Sequence, residues 1–144
     1  MVSWSADLAT CLYRSLESRG IIGSDGNLTA EYDAAAANWG GSWRMPTLDE
    51  IQELIDNCTW EQKVTMNGVY GNKVIGPNGN FIFLPSAGYR NGTSLPNVGS
   101  YSGYWSATPD GDSGRAGSLT FNSSVGHWEL VHLNFGFAVR PVTE

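Results

Sequence analysis

At 144 residues, 41% hydrophobic and 12% aromatic, the chain is long enough to bury one core but short of two ordinary domains, so it is read as a single domain over 1–144. Its 18 glycines and 15% charged residues describe a turn-rich globular chain, because disordered chains are poor in aromatics and rich in charge. A net charge of -6 with only eight scattered Lys and Arg residues excludes a nucleic-acid groove, which needs basic side chains clustered on one face.

The opening "MVSWSADLAT" has no basic segment followed by an apolar one, and no apolar run approaches the roughly 20 residues of a membrane span. The expectation is a soluble chain with no membrane insertion and no export signal of its own, carried by a parent that can still be exported. Ser5 is placed to cap a first helix over about 6–19, with Leu8, Leu12 and Leu16 on one face and Gly20 as its stop. "GSDGN" gives a turn, and "TAEYDAAAANWGG" a short second helix ended by Gly40 and Gly41. "SWRMP" is an extended link, since Pro46 disfavours helix at Met45.

"TLDEIQELIDNC" predicts a third helix: Thr47 and Glu50 have capping-box spacing, and Ile51, Leu54 and Ile55 form an apolar stripe. From Val64 the pattern changes to short β-rich runs punctuated by Asn-Gly and Gly pairs. "NKVIGPNGNFIFLP" predicts a hairpin turning at Asn78 and Gly79, and "GYWSAT", "GSLTF", "VGHWELVHL" and "FGFAVRP" predict later strands. Helices first and strands second imply an α+β fold with a mostly antiparallel sheet.

Both histidines fall in "HWELVH". Their spacing of five is wrong for a helical zinc pair, because five residues leave them about 140° out of alignment on an ideal helix. As a strand, the run puts His127, Glu129 and Val131 on one face and Trp128, Leu130 and His132 on the other. "DGDSG", from Asp110, opens like a calcium loop, yet the sixth and twelfth positions of an EF-hand hold Arg115 and Phe121; turn chemistry explains the same residues. Cys11 and Cys58 have no metal-like spacing, and a single disulfide or two buried thiols both fit them. There is no G-x-S-x-G elbow, no cysteine beside a base, and no lysine in "GPNGN" to make a phosphate loop. The expectation is no enzyme, no cofactor and no metal.

"NWGGSWRMPTLDEIQELIDNCTW", "GPNGNFIFLPSAGYRNGTSL", "GSYSGYWSAT" and the closing "GFAVRPV" together resemble the Fibrobacter succinogenes major paralogous domain over about residues 33–142. That family is similar to C-type lectin-like domains. The resemblance implies two or three helices packed on a small twisted antiparallel sheet, with a long loop-rich binding region. "YWSATP", "AGSLTFNSS" and "FGFAVRPV" are further similar to the variable region of proteins diversified by retroelements, in which a template is copied with errors at adenines. By that resemblance the scaffold is Tyr104, Trp105, Ser106, Leu119, Phe121, Gly136, Val139, Arg140 and Pro141. The varied, ligand-binding positions within about 104–140 are Asp110, Gly111, Asp112, Ser113, Arg115, Gly117, Ser118, Thr120, His127, Glu129, Leu130, Val131, His132, Leu133 and Phe135, with Trp128 as a further contact. Changing the first two bases of an Asn codon reaches most of these residues but never Trp or Glu, so Trp128 and Glu129 need another template codon.

The function implied is a non-enzymatic, receptor- or adhesin-type binder of an unknown protein or glycan on another cell or host surface. Its place is a cell surface, the secreted fraction or a phage virion. Arg115, His127, Trp128, Glu129 and His132 are the preferred contacts. Alternatives are a calcium-dependent lectin, although the Glu-Pro-Asn and Gln-Pro-Asp tripeptides are missing, and a structural domain of a surface or fimbrial protein. An enzyme like the formylglycine generators lacks its reactive cysteine pair.

Overall fold

The computed structural model describes residues 14–111, 114–122 and 125–143. Residues 14–18 are helical and end in a turn where Gly20 takes a φ of 69°, a left-handed conformation open to glycine at little cost. This is the predicted stop; the rest of that expected helix, with Ser5 and Cys11, lies outside the described residues.

Helix α1 (Ala34–Trp39) is shorter than the sequence suggests because Asp33 sets its start. One Asp33 carboxylate oxygen accepts from the N–H groups of Ala35 at 2.8 Å and Ala36 at 3.0 Å. The other accepts from Met45 N–H at 2.8 Å. A single buried side chain therefore caps α1 and ties the extended link to it.

Helix α2 (Leu48–Asn57) has the predicted capping box: Thr47 Oγ1 accepts from Glu50 N–H at 3.2 Å, and Glu50 Oε2 accepts from Thr47 N–H at 2.8 Å. Arg44 donates both guanidinium arms to Glu50, each at 2.7 Å. This fork, helped by the Thr47 N–H and opposed by partial burial, holds the Glu50 carboxyl down at about 2. A carboxyl lowered from 4.5 stabilises the fold above pH 4.5, and the contribution is lost as the pH falls towards 2. The Glu50 side chain is 36% exposed, so solvent screening reduces the stabilisation to about 1–2 kcal/mol. Glu50→Gln is expected to remove that much at neutral pH. Urea unfolding of the variant should lose less stability than the native chain on acidification through this window.

Strands β1 (Thr59–Met66), β2 (Val69–Ile75) and β3 (Phe81–Pro85) form an antiparallel sheet in that order. β1 begins directly after α2 rather than at Val64. Its turn into β2 is Asn67-Gly68, with φ of 50° and 80°, the left-handed pair that a two-residue hairpin demands. The β2–β3 hairpin turns at Asn78–Gly79 as predicted, closed by Gly76 N–H to Asn80 O at 2.8 Å. Two-residue strands β4 (Arg90–Asn91) and β8 (Phe135–Gly136) pair with each other. β5 (Ser102–Asp110), β6 (Arg115–Phe121) and β7 (His127–His132) make a second antiparallel sheet with β6 in the centre.

The fold is thus mixed α+β, with small antiparallel sheets where one was expected. The predicted final strand "FGFAVRP" reduces to β8 and single bridges of Ala138 with Tyr104 and Val142 with Arg44; Pro141 has no N–H to extend a ladder. The main core, Ile51, Val74, Leu84, Tyr104, Leu119 and Phe121, is drawn from α2 and both three-stranded sheets. A smaller one joins Ala35, Met45 and Ala107. Among the described residues no helix is long and apolar enough to cross a membrane.

Candidate ligand-binding face

Strand β6 is buried from Ala116 to Phe121, so both faces of its sheet are covered along the centre. Directly paired residues share a face. Thr120 lies between Gly103 and His127, and Ser118 between Trp105 and Glu129; on the other side Leu119 lies between Tyr104 and Trp128. The inner face carries Tyr104, Leu119 and Phe121 into the main core. The outer face carries Trp105, His127 and Glu129.

An aromatic cluster builds on this outer face. The Phe137 ring lies over Gly103, where an added Cβ would collide with it, and 4.8 Å from the Trp105 ring. Tyr89 meets Tyr101, Phe135 and Phe137 edge-on at 5.5, 5.6 and 6.1 Å, the arrangement that ring quadrupoles favour. Tyr101 donates a long hydrogen bond of 3.5 Å to Glu129 Oε1. Burial pushes the Tyr101 phenol up to about 12, and the Glu129 charge adds to the shift. Thr120 Oγ1 lies 3.2 Å from His127 Nε2, and Ser118 Oγ donates to Glu129 O at 3.1 Å. Tyr89, Tyr101, Phe135, Phe137 and Asn97 line a shallow cleft of about 250 Å³.

The structure divides the sequence-predicted positions. Gly117, Ser118 and Thr120 are buried, the latter two with 0% exposure, so the expected contacts there are corrected to supports within the sheet. His127, Glu129 and Val131 share the outer face with Ser118 and Thr120, while Gly117, paired with Leu130, belongs to the inner face against Leu48. Arg115, Trp128, Leu130 and His132 belong to the opposite face. The five preferred contacts therefore do not form one patch. Trp128 is 44% exposed at the sheet edge, neither a core residue nor a neighbour of Glu129 on its face. Leu133 is exposed beyond β7, while Phe135 joins the outer face through Tyr89. Asp110 and Gly111 sit at the β5–β6 turn, where Asp110 Oδ2 is 3.5 Å from Arg115 Nη2; Asp112 and Ser113 lie outside the described residues.

Of the scaffold positions, Tyr104, Ser106, Leu119 and Phe121 are buried, and Trp105, Val139 and Pro141 half-buried. Arg140 is exposed, and Gly136 faces Arg90 so closely that an added Cβ would stand 2.8 Å from the Arg90 Cβ. Ser106 Oγ donates to Gly117 O at 2.6 Å beside the β5 bulge. Tyr104 OH donates to Pro85 O at 2.9 Å, and burial raises its phenol.

Sequence reasoning missed Tyr89, Tyr101, Asn97 and Phe137. Their signal was aromatic residues set among turn formers in "AGYRNG" and "GSYSGY", where no period betrays a buried face. Among the described residues no three His, Cys, Asp or Glu side chains gather as a metal site. Cys58 carries a free thiol at the end of α2, packed against the main core.

A scan against protein-family models, a search of curated proteins and a search of solved structures each return no match to this chain.

Proposed function

We propose that this chain is a non-enzymatic ligand-binding domain of C-type lectin-like fold, acting as a receptor or adhesin at a cell surface, in the secreted fraction or on a phage particle. Its ligand is a protein or glycan on another surface, and retroelement diversification of the C-terminal region sets its specificity. One observation carries the reading: an aromatic cluster with a carboxylate and an imidazole at its edge stands on a sheet whose central strand is buried from Ala116 to Phe121. Aromatic anchors held by packing bind with little ordering cost, and mixed polar neighbours supply selectivity. The contacts assigned are Tyr89, Tyr101, His127, Glu129, Val131 and Phe135. Trp128, Leu130 and His132 form a second, separate edge.

Resequencing the gene from sister cells tests this. Substitutions should concentrate at His127, Glu129, Val131 and Phe135, at codons matched to template adenines, and spare Gly117, Ser118 and Thr120. Equal substitution at the buried and exposed positions would remove the reading, as would an invariant gene without a near-copy template.

A further inference from the structure

A larger cleft of about 590 Å³ opens on the other side of Tyr101, between β1, β2 and the loop at 97–101. Its size falls within the roughly 300–1,000 Å³ of small-molecule sites. Lys63, Tyr70, Asn72, Ser86, Asn97 and Tyr101 line it, so apolar ring and stem surface is mixed with hydroxyls, amides and one ammonium, and among the described residues no carboxylate lines the cleft in a chain of net charge -6.

Each wall is fixed by backbone bonds. Pairing of β1 with β2 breaks between Glu61 and Val64, and Lys63 takes a φ of 54°. Asn72, 1% exposed, accepts the Lys63 N–H through Oδ1 at 3.3 Å. Bulges of this kind re-aim a side chain, and here the displaced side chain borders the cleft. Lys63 makes no ion pair among the described residues. Opposite, Gly99 N–H donates to Ser86 O at 2.7 Å and Tyr101 N–H to Asn97 O at 3.0 Å, pinning the loop. Ser86 is only 7% exposed, lines the cleft, and has no partner for its hydroxyl among the described residues. Its Oγ is not sealed from solvent, since the fully buried unpartnered side-chain atoms among the described residues are Trp60 Nε1 and Ser102 Oγ, so it stands in the cleft as an open donor and acceptor. The Tyr70 ring is exposed at the rim, beside Gly99.

We infer that this cleft binds a carboxylate-bearing sugar residue without calcium: Ser86 and the amides take its hydroxyls, Tyr70 its C–H face, and Lys63 its carboxylate. Amides and hydroxyls offer the paired donors and acceptors that a polyol presents, and one unpaired ammonium selects a single negative charge. The inference is independent of diversification and of the aromatic face beyond Tyr101.

Calorimetry and amide NMR in EDTA, with methyl β-glucuronide, free glucuronic acid, methyl β-glucoside and acetate as probes, test it. Methyl β-glucuronide should perturb amides around Ser86 and bind at least about ten-fold more tightly than methyl β-glucoside, with acetate inert. Free glucuronic acid matching the glycoside marks a free acid as ligand; a preference for the glycoside marks a glycan end. Ser86→Ala should weaken binding about five- to ten-fold with unchanged unfolding temperature. Lys63→Asn, which tolerates the left-handed backbone, should erase the preference for glucuronide over glucoside. No perturbation at about 10 mM glucuronide, acetate binding as well as the sugar, a requirement for calcium, or variants that bind like the native chain would each overturn the inference.

Discussion

Replacing Asp33 by alanine is expected to lower the unfolding free energy by about 3–4 kcal/mol. Three backbone donors depend on this carboxylate: Ala35 and Ala36 through one oxygen, Met45 through the other. Ala35 and Met45 are 1% and 5% exposed, so water cannot replace what is lost. An N-cap alone contributes about 1 kcal/mol. The excess comes from the Met45 N–H, left buried and unsatisfied, and from the small core of Ala35, Met45 and Ala107 that Asp33 closes. Asp33→Asn separates the two parts: its single carbonyl oxygen keeps the cap, whereas its NH₂ group is a donor and cannot accept from Met45 N–H, so it should lose the excess alone, about 2–3 kcal/mol. Urea midpoints with an unchanged m-value would measure both. A loss no greater than that of a solvent-exposed cap would show that the tie to Met45 contributes nothing.

Asp33 also marks where the sequence stops being legible. The capping box of Thr47 and Glu50 spans three residues, so a local pattern specifies it, and both bonds form. Asn67-Gly68 and Asn78-Gly79 are equally local, because left-handed backbone conformations restrict the residues that can occupy them. The partner of Asp33 Oδ2 stands twelve positions away, and nothing near Asp33 announces it. β1 starts early for a similar reason: Trp60, amid polar residues, packs on Phe121 at a ring distance of 6.1 Å, a contact known only once both sheets are in place.

The candidate face divides the same way. Alternation in "HWELVH" correctly separates His127 and Glu129 from Trp128 and His132, since period two needs only a strand. The burial of Ser118 and Thr120 was not legible, because small polar residues ordinarily stay near water. It follows from Tyr101 and Trp105, at and just before the start of β5, and from Phe137, more than thirty residues on in the chain, whose rings meet on that face.

Gly103→Ala gives the second large effect and distinguishes the two faces of the sheet. An added methyl at Gly103 meets three carbons of the Phe137 ring well inside van der Waals contact, and the Phe137 backbone cannot retreat freely. Ala138, its neighbour, donates to Gly103 O and accepts from Trp105 N–H, both at 3.0 Å. The ring must leave, breaking its contacts with Trp105 at 4.8 Å and Tyr89 at 6.1 Å. Overpacking of this kind costs about 2–3 kcal/mol, or a fall in unfolding temperature of about 5–10 °C. Gly126→Ala is the matched control: its methyl would stand 2.5 Å from the Trp60 ring and 2.9 Å from Leu119 Cδ1, straining the inner face by a similar amount. Hydrogen exchange at the Ala138 and Trp105 amides should accelerate in Gly103→Ala beyond what its global stability predicts, because the 137–138 segment opens by itself. In Gly126→Ala those amides should track global stability alone. Equal exchange in the two variants would mean that Phe137 does not hold this segment to the sheet, and the aromatic cluster would then lose its claim to be a preformed binding surface.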